Sequence, residues 1–392
     1  MKSIKRIIAA LLSCAMIASF AGCGGSDEPK PDEMRDINAM GVISEIGLGW
    51  SLGNTLDATG NGSGVSSETS WGNPVTTQEM IDKVKEGGFN FIRIPTSWGN
   101  HMDENNVVNE EWMARVQEVV DYAYNSGMYV ILNAHHEDWY DPYYDNADAA
   151  EAKLRTLWKQ IADRFENYSE RLIFEGLNEP RKRNTALEWN GGDQEGWDVV
   201  NQLNKAFVET VRNAGGNNPK RMLMVCGYAA SSDPKVWDAI ELPENDENII
   251  VSIHAYLPYN FALADTKTGQ PRFDPERPAS TQAIDELVDN IFDKFISKGV
   301  AVIIGETGAR NRDNTEARAA WAEYYTSKCY GKGIPCAWWD NGAFSGSGEN
   351  FGLLNRRSAE WQYPEVVEAL VKGMNEGIAN NGIAAPNDGA AA

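Results

Sequence analysis

Two stretches of this chain carry an apolar run onto a glutamate: Phe174-Glu175-Gly176-Leu177-Asn178-Glu179-Pro180 and Ile303-Ile304-Gly305-Glu306-Thr307-Gly308. An apolar run of roughly four to eight residues closed by Gly or Pro reads as a buried strand. A carboxylate where such a strand emerges is costly to bury without a partner, so it is seldom a packing residue. Two of them, Glu179 and Glu306, from distant segments supply what paired acid–base or nucleophilic chemistry needs. Two unrelated salt bridges would be the structural alternative, and the positions of the other polar residues weigh against it.

Something must bring these glutamates together. Eight strand-like runs occur, at Ile46–Trp50, Phe89–Ile94, Met128–Asn133, Leu172–Leu177, Arg221–Val225, Ile249–Ile253, Val300–Gly305 and Ile334–Trp338. Helical patterns lie between most of them. Thr76-Thr77-Gln78-Glu79 reads as a capping box opening a helix that stops at Gly87-Gly88. Trp112, Val116, Val119 and Ala123 share one helical face, and Ile284 to Phe295 carries an apolar stripe of the same period. The stretch after Val225 is irregular. Ala317–Tyr330 and Pro364–Met374 read as the last two helices. Strands alternating with helices in this way predict an α/β fold, a single (β/α)8 TIM barrel. An open doubly wound sheet would want a glycine-rich phosphate loop after its first strand. Gly47 to Gly53 holds glycines, but Trp50 and Leu52 do not open a helix there.

On a barrel the polar residues fall into a pattern. Asn54 and Asp57 follow strand one, and Arg93 sits within strand two. His135 and His136 end strand three, Asn178 and Glu179 strand four, His254 and Tyr256 strand six. Glu306 ends strand seven, and Trp338 and Trp339 end strand eight. The C-terminal strand ends of a barrel converge on one face, where its chemistry sits. Arg93, among apolar neighbours, needs a carboxylate, and Glu306 is the expected partner. The histidines suit hydrogen bonds to a substrate. A metal site is the weaker reading, because no His-Glu-x-x-His pattern or paired-cysteine spacing occurs. Trp339 suits a stacking platform, with Trp71 and Trp98 as lesser candidates. No residue next to Glu179 supplies positive charge, which suits a carboxyl of raised pKa serving as the acid, while Glu306 stays ionised beside Arg93.

Composition narrows the partners. The 392 residues are 42% apolar, with 13 Trp and 14 Tyr, and the formal net charge is −22. Nucleic acid and anionic lipid surfaces are therefore poor partners, whereas neutral, flat-faced ligands such as sugar rings are suitable ones. The first 22 residues pair a basic start (Lys2, Lys5, Arg6) with an apolar run too short to span a bilayer. They predict a lipoprotein-type signal peptide, with Cys23 as the acylated first mature residue and residues 23–36 as a flexible tether. The expectation is an enzyme anchored at the cell envelope, or secreted if Cys23 is not acylated. Membrane contact would run only through that lipid. The catalytic domain is expected over 37–375, as a monomer, with a disordered tail over 376–392. Cys226 and Cys336 read as core residues, and a Cys329–Cys336 bridge is left open.

Taken together, these residues resemble glycoside hydrolase family 5. Asn178-Glu179-Pro180 is similar to the family's acid/base motif, and Glu306 in Ile-Ile-Gly-Glu-Thr-Gly to its nucleophile. Arg93, His135 or His136, His254 with Tyr256, and Trp339 match its remaining site positions. GWSLGNTLDA (residues 49–58), ETSWGNP (68–74), NAHHEDW (133–139) and WWDNG (338–342) are similar to its endoglucanase subfamily 4. The resemblance implies a retaining endo-β-1,4-glucanase acting on cellulose-type glucan, xyloglucan or mixed-linkage β-glucan, without a cofactor. Asn178 would then bond the sugar 2-hydroxyl. A β-mannanase with the same mechanism, or a glycan-binding barrel without turnover, are the competing readings.

Overall fold

In the computed structural model, which describes residues 33–381 apart from Asn61, Ser63, Thr266 and Ser347, the eight expected strands close into one parallel barrel. They are β1 (Gly49–Leu52), β2 (Phe91–Ile94), β3 (Tyr129–Asn133), β4 (Leu172–Glu175), β5 (Leu223–Cys226), β6 (Ile249–His254), β7 (Ala301–Thr307) and β8 (Cys336–Asp340). Closure is direct: β1 pairs with β2 through Ser51 and Arg93, and with β8 through Ser51 and Trp339. Every strand residue is buried, as expected of a parallel sheet covered on both faces.

The covering helices are α2 (Gln78–Glu86), α3 (Glu110–Tyr124), α4 (Tyr144–Arg164), α5 (Gln194–Arg212), α6 (Pro234–Asp238), α7 (Tyr259–Ala262), α8 (Pro278–Lys294), α9 (Thr315–Tyr330) and α10 (Pro364–Asn381), preceded by α1 (Ala39–Glu45). A single 3-10 turn (Tyr228–Ala230) and the five-residue α6 are the helical segments between β5 and β6, which accounts for the irregular pattern there. α2 starts one residue later than its capping box suggests. Thr77 caps it by accepting from the Met80 amide, and the Thr76 amide instead donates to Glu68.

α1 replaces the expected start of the first strand at Ile46. Asn38 caps it through the Gly41 amide. Ala39, Val42, Ile43 and Ile46 then pack against Phe91, Ile131, Ile173, Met224, Ile250 and Ile303. These are the inward residues of the strands near their N-terminal ends, so α1 plugs the barrel floor. The spacing of those four residues is itself the helical signal.

Both ends of the domain need correction. Arg35, expected in a flexible tether, is tied to Glu45, Glu170 and Tyr129. The last helix was expected to stop near Met374, yet it runs to Asn381 with Ile378 buried. Gly373 and Gly377 let it lie directly on α9: a Cβ at Gly373 would stand 2.2 Å from the Glu323 carbonyl oxygen. The signal peptide, Cys23 and the last 11 residues lie outside the described residues. Among the described residues no helix is long and apolar enough to cross a membrane. Cys226, Cys329 and Cys336 are all buried and unbridged.

Candidate active site

Arg93 is the hub of the barrel mouth. It projects inward from β2 and is fully buried. Its Nε donates to Glu175 at 2.7 Å, Nη1 to Glu306 at 2.7 Å and Nη2 to the Asn178 side-chain oxygen at 2.6 Å. Burial disfavours the cation, but the charges of Glu175 and Glu306 more than restore it. The planar fork of a guanidinium is what allows three acceptors on two strands and a loop to be held at once. Glu175 is further satisfied by Ser252 at 2.6 Å and Asn133 at 3.0 Å.

The two glutamates meet above this hub. His254 Nδ1 bonds Glu179 Oε1 at 2.8 Å and lies 3.5 Å from Glu306 Oε2. Tyr256 donates its hydroxyl to that same Glu306 oxygen at 2.9 Å. One carboxylate oxygen each from Glu179 and Glu306, with a His254 ring nitrogen, lie within 4.8 Å of one another. A register shift in β7 after Ile304 is what presents Glu306 here.

The electrostatics differ from the sequence expectation at Glu179. Burial pushes its carboxyl up, but the His254 hydrogen bond and the charges of His254, Arg181 and Arg93 hold it below the ordinary glutamate value. Burial pushes His254 down, and Glu306 and Glu179 outweigh that and raise it. The two therefore share one proton, resting toward the imidazole. The expected raised pKa considered only chain neighbours, whereas the positive charge arrives from β6 and from Arg181.

The opposite wall is aromatic. His135 stacks parallel on Trp339, with ring centres 5.6 Å apart, and meets His136 edge-on. His136 Nε2 is 3.7 Å from Asp57, and Trp71 lies 5.5 Å from the His136 ring. Burial lowers both histidines, His136 to about 4, so both are neutral hydrogen-bonding groups near pH 7. Asn54 adopts the left-handed region (φ 56) and donates its amide to Asp57. Burial raises Asp57 to about 6.

Comparison with known proteins fits this geometry. The Cellulase (glycosyl hydrolase family 5) model matches residues 56–345. The chain belongs to glycosyl hydrolase family 5. It is accordingly a glycoside hydrolase, and its relatives within family 5 include endoglucanases and a lichenase. It is 50% identical over 342 residues to Endoglucanase 1 of Ruminococcus albus, covering 86% of this chain and 82% of that protein. It is 45% identical over 376 residues to Endoglucanase B of Neocallimastix patriciarum, covering 94% and 76%. Among solved structures, a GH5-4 broad specificity endoglucanase from Ruminococcus champanellensis with bound cellotriose superposes with TM-score 0.83 at 47% identity, covering 86% of this chain and 99% of that one. A lichenase from Caldicellulosiruptor sp. F32 complexed with cellotetraose gives TM-score 0.82 at 41% identity, covering 87% and 96%.

Within this family 5 site, Arg93, His135, His136, Asn178, Glu179, His254, Tyr256, Glu306 and Trp339 come together as expected. Trp98 does not join them. It is fully buried, and its indole donates to the Asn133 carbonyl behind β3. Trp71 stays 42% exposed. Glu175 was missed, although a carboxylate inside an apolar strand one residue beyond Phe174 carried the signal. Arg181 was missed because its sequence shows only a charge beside a proline. Glu137 was missed too: it is buried under Trp98 and Gly99, whose amides it accepts, and fixes the Trp139 indole at 2.5 Å.

Proposed function

We propose that this enzyme is a retaining endo-β-1,4-glucanase in which Glu306 is the nucleophile and Glu179 the acid/base. The observation that carries the reading is the proximity of the two carboxylates, with oxygens within 4.8 Å. Retaining glycosidases hold their carboxyl groups about 5–5.5 Å apart, and inverting ones about 6.5–9.5 Å.

Glu306, paired with Arg93 at 2.7 Å and aimed by Tyr256, attacks the anomeric carbon. The carbon–oxygen bond to the leaving sugar breaks as Glu179 passes its proton to that oxygen. His254 supplies the proton to Glu179 along their 2.8 Å bond. Loss of the Glu306 charge in the ester then leaves Glu179 free to deprotonate water. The water attacks the same carbon, restoring Glu306 and the original anomeric configuration. Asn178, anchored by Arg93, faces the 2-hydroxyl, and Trp339, His135 and His136 hold the sugar on the other side.

The substrates proposed are cellulose-type glucan, xyloglucan and mixed-linkage β-glucan, in keeping with relatives named broad specificity endoglucanase and lichenase. The test is reducing-sugar release from carboxymethyl cellulose, xyloglucan, mixed-linkage glucan and mannan, with Glu306→Gln alongside. Hydrolysis of glucans, lost in the variant, supports the assignment. Hydrolysis of mannan alone replaces the substrate, and inverted product configuration by NMR removes the mechanism. We also propose that Cys23 carries a lipid that displays the enzyme at the cell envelope. Membrane-fraction activity that persists in Cys23→Ser would refute this.

A further inference from the structure

Tyr256 stands past the end of β6 and before α7, yet its hydroxyl meets one Glu306 oxygen at 2.9 Å. A small rotation of the backbone there would swing the hydroxyl off that oxygen. Two side chains of α9 hold the backbone on either side. The Trp321 indole donates to the Leu257 carbonyl at 2.8 Å, and the Tyr325 hydroxyl donates to the Ala255 carbonyl at 2.9 Å. The Ala255 carbonyl also accepts from Thr307 at 2.8 Å, and the Ala255 amide donates to the Glu306 carbonyl at 2.9 Å. Trp321 and Tyr325 lie one turn apart on the same face of α9, with ring centres 4.7 Å apart. Both are fully buried, so neither touches a substrate.

The ring of Tyr256 has a seat as well. It packs on Phe351 with ring centres 5.4 Å apart, and the Phe351 carbonyl accepts from the Trp338 indole at 2.8 Å. Trp338 in turn meets Trp321 edge-on at 5.9 Å. Trp321 therefore supports both the backbone beside Tyr256 and the indole that holds its ring's neighbour. Buried indole and phenol groups find hydrogen-bond partners wherever they lie. What sets these two apart is the choice of acceptors, the carbonyls immediately before and after Tyr256.

We propose that Trp321, with Tyr325 beside it, is a positioning residue for the hydrolysis: from the outer helix layer it sets the Tyr256 hydroxyl against Glu306. This rests on Glu306 as the nucleophile. The effect runs through a hydrogen bond to the attacking carboxylate and through no contact with the sugar, so it falls on kcat rather than on KM.

The test compares two backgrounds. Trp321→Phe keeps an aromatic ring and removes the donor. Its kcat on mixed-linkage glucan should fall about 10-fold, with KM changed less than about twofold. Tyr325→Phe leaves Thr307 on the same carbonyl and should cost less, about threefold. Made in a Tyr256→Phe enzyme, Trp321→Phe should change kcat less than about twofold, because the hydroxyl through which it acts is gone. A merely structural role would cost the same in both backgrounds. That result, or an unchanged kcat in Trp321→Phe, would overturn the proposal. If Trp321→Phe fails to fold by circular dichroism, Tyr325→Phe carries the same comparison. The premise is checked separately on the unaltered enzyme, with a 2-deoxy-2-fluorocellobioside bearing a dinitrophenyl leaving group. Its sugar should be found on Glu306 by peptide mass spectrometry. A label on another carboxylate would remove the nucleophile assignment, whatever Trp321 does.

Discussion

His254 and Glu179 share a single hydrogen bond of 2.8 Å inside the barrel mouth, and the same imidazole nitrogen stands 3.5 Å from Glu306. A titrating pair of this kind has pKa values that belong to both members. The active form has one proton on the pair. The alkaline limb of kcat/KM then marks loss of that proton, which the two carboxylates hold on the imidazole above its ordinary value. In His254→Asn the proton must reside on Glu179 alone. The alkaline limb should move to lower pH, and a pH profile that keeps its position would count against the shared proton.

Tyr256 gives a narrower test. Its hydroxyl is directed at one Glu306 oxygen and supports the nucleophile's aim. Tyr256→Phe should lower kcat on the order of 100-fold with little change in KM. Steady-state kinetics on mixed-linkage glucan would check this.

Arg93→Lys should be severe despite the kept charge. A lysine cannot serve Glu175, Glu306 and Asn178 together, and it leaves buried acceptors unpaired. Breaking a buried charge network typically costs about 3–5 kcal/mol. Chemical denaturation should show a loss of that order, with activity falling in parallel.

Glu137 carries a pH signature of its own. Burial, opposed by the amides of Trp98 and Gly99, pushes it up to about 7. The folded protein keeps a proton there that the unfolded chain releases at the ordinary glutamate value. Its stabilising contribution is complete below about pH 4.5 and is lost as pH rises through about 7, a swing of about 3 kcal/mol. Glu137→Gln should flatten the dependence of unfolding free energy on pH across this window. An unchanged slope would assign the effect elsewhere, Asp57 being another buried carboxyl raised by its burial.

The α9–α10 contact predicts a change in stability without a change in mechanism. Gly373→Ala would place a methyl 2.2 Å from Thr326 Oγ1 and the Glu323 carbonyl oxygen. A loss of about 2–3 kcal/mol is expected, with KM unaltered.

How far the residues alone reached can be judged from particular elements. All eight strands were legible because burial on both faces makes each a short continuous apolar run. Their starts were misplaced by up to three residues, as at Gly49, where the expected start at Ile46 is the cap of α1, which ends at Glu45. The Arg93–Glu306 pair was legible because a guanidinium among apolar residues demands a carboxylate. The Glu179–His254 bond was not, since 75 positions separate its partners and only the curvature of the barrel joins them. Trp98 was misjudged for a similar reason: its loop leads toward the mouth, but its indole turns back to the Asn133 carbonyl. Sequence neighbours predict a residue's type of work; the charges that tune it come from other strands.

Arg35 fastens the incoming chain to Glu45 and Glu170 at the barrel floor, beneath the end where Glu179 and Glu306 stand. The polypeptide thus reaches the domain from underneath. About a dozen residues separate Cys23 from Arg35, at most about 40 Å of fully extended chain. If Cys23 carries the proposed lipid, that mooring would attach at the floor, on the side away from the cleft. A polymer could then cross the far side without threading between the protein and its attachment.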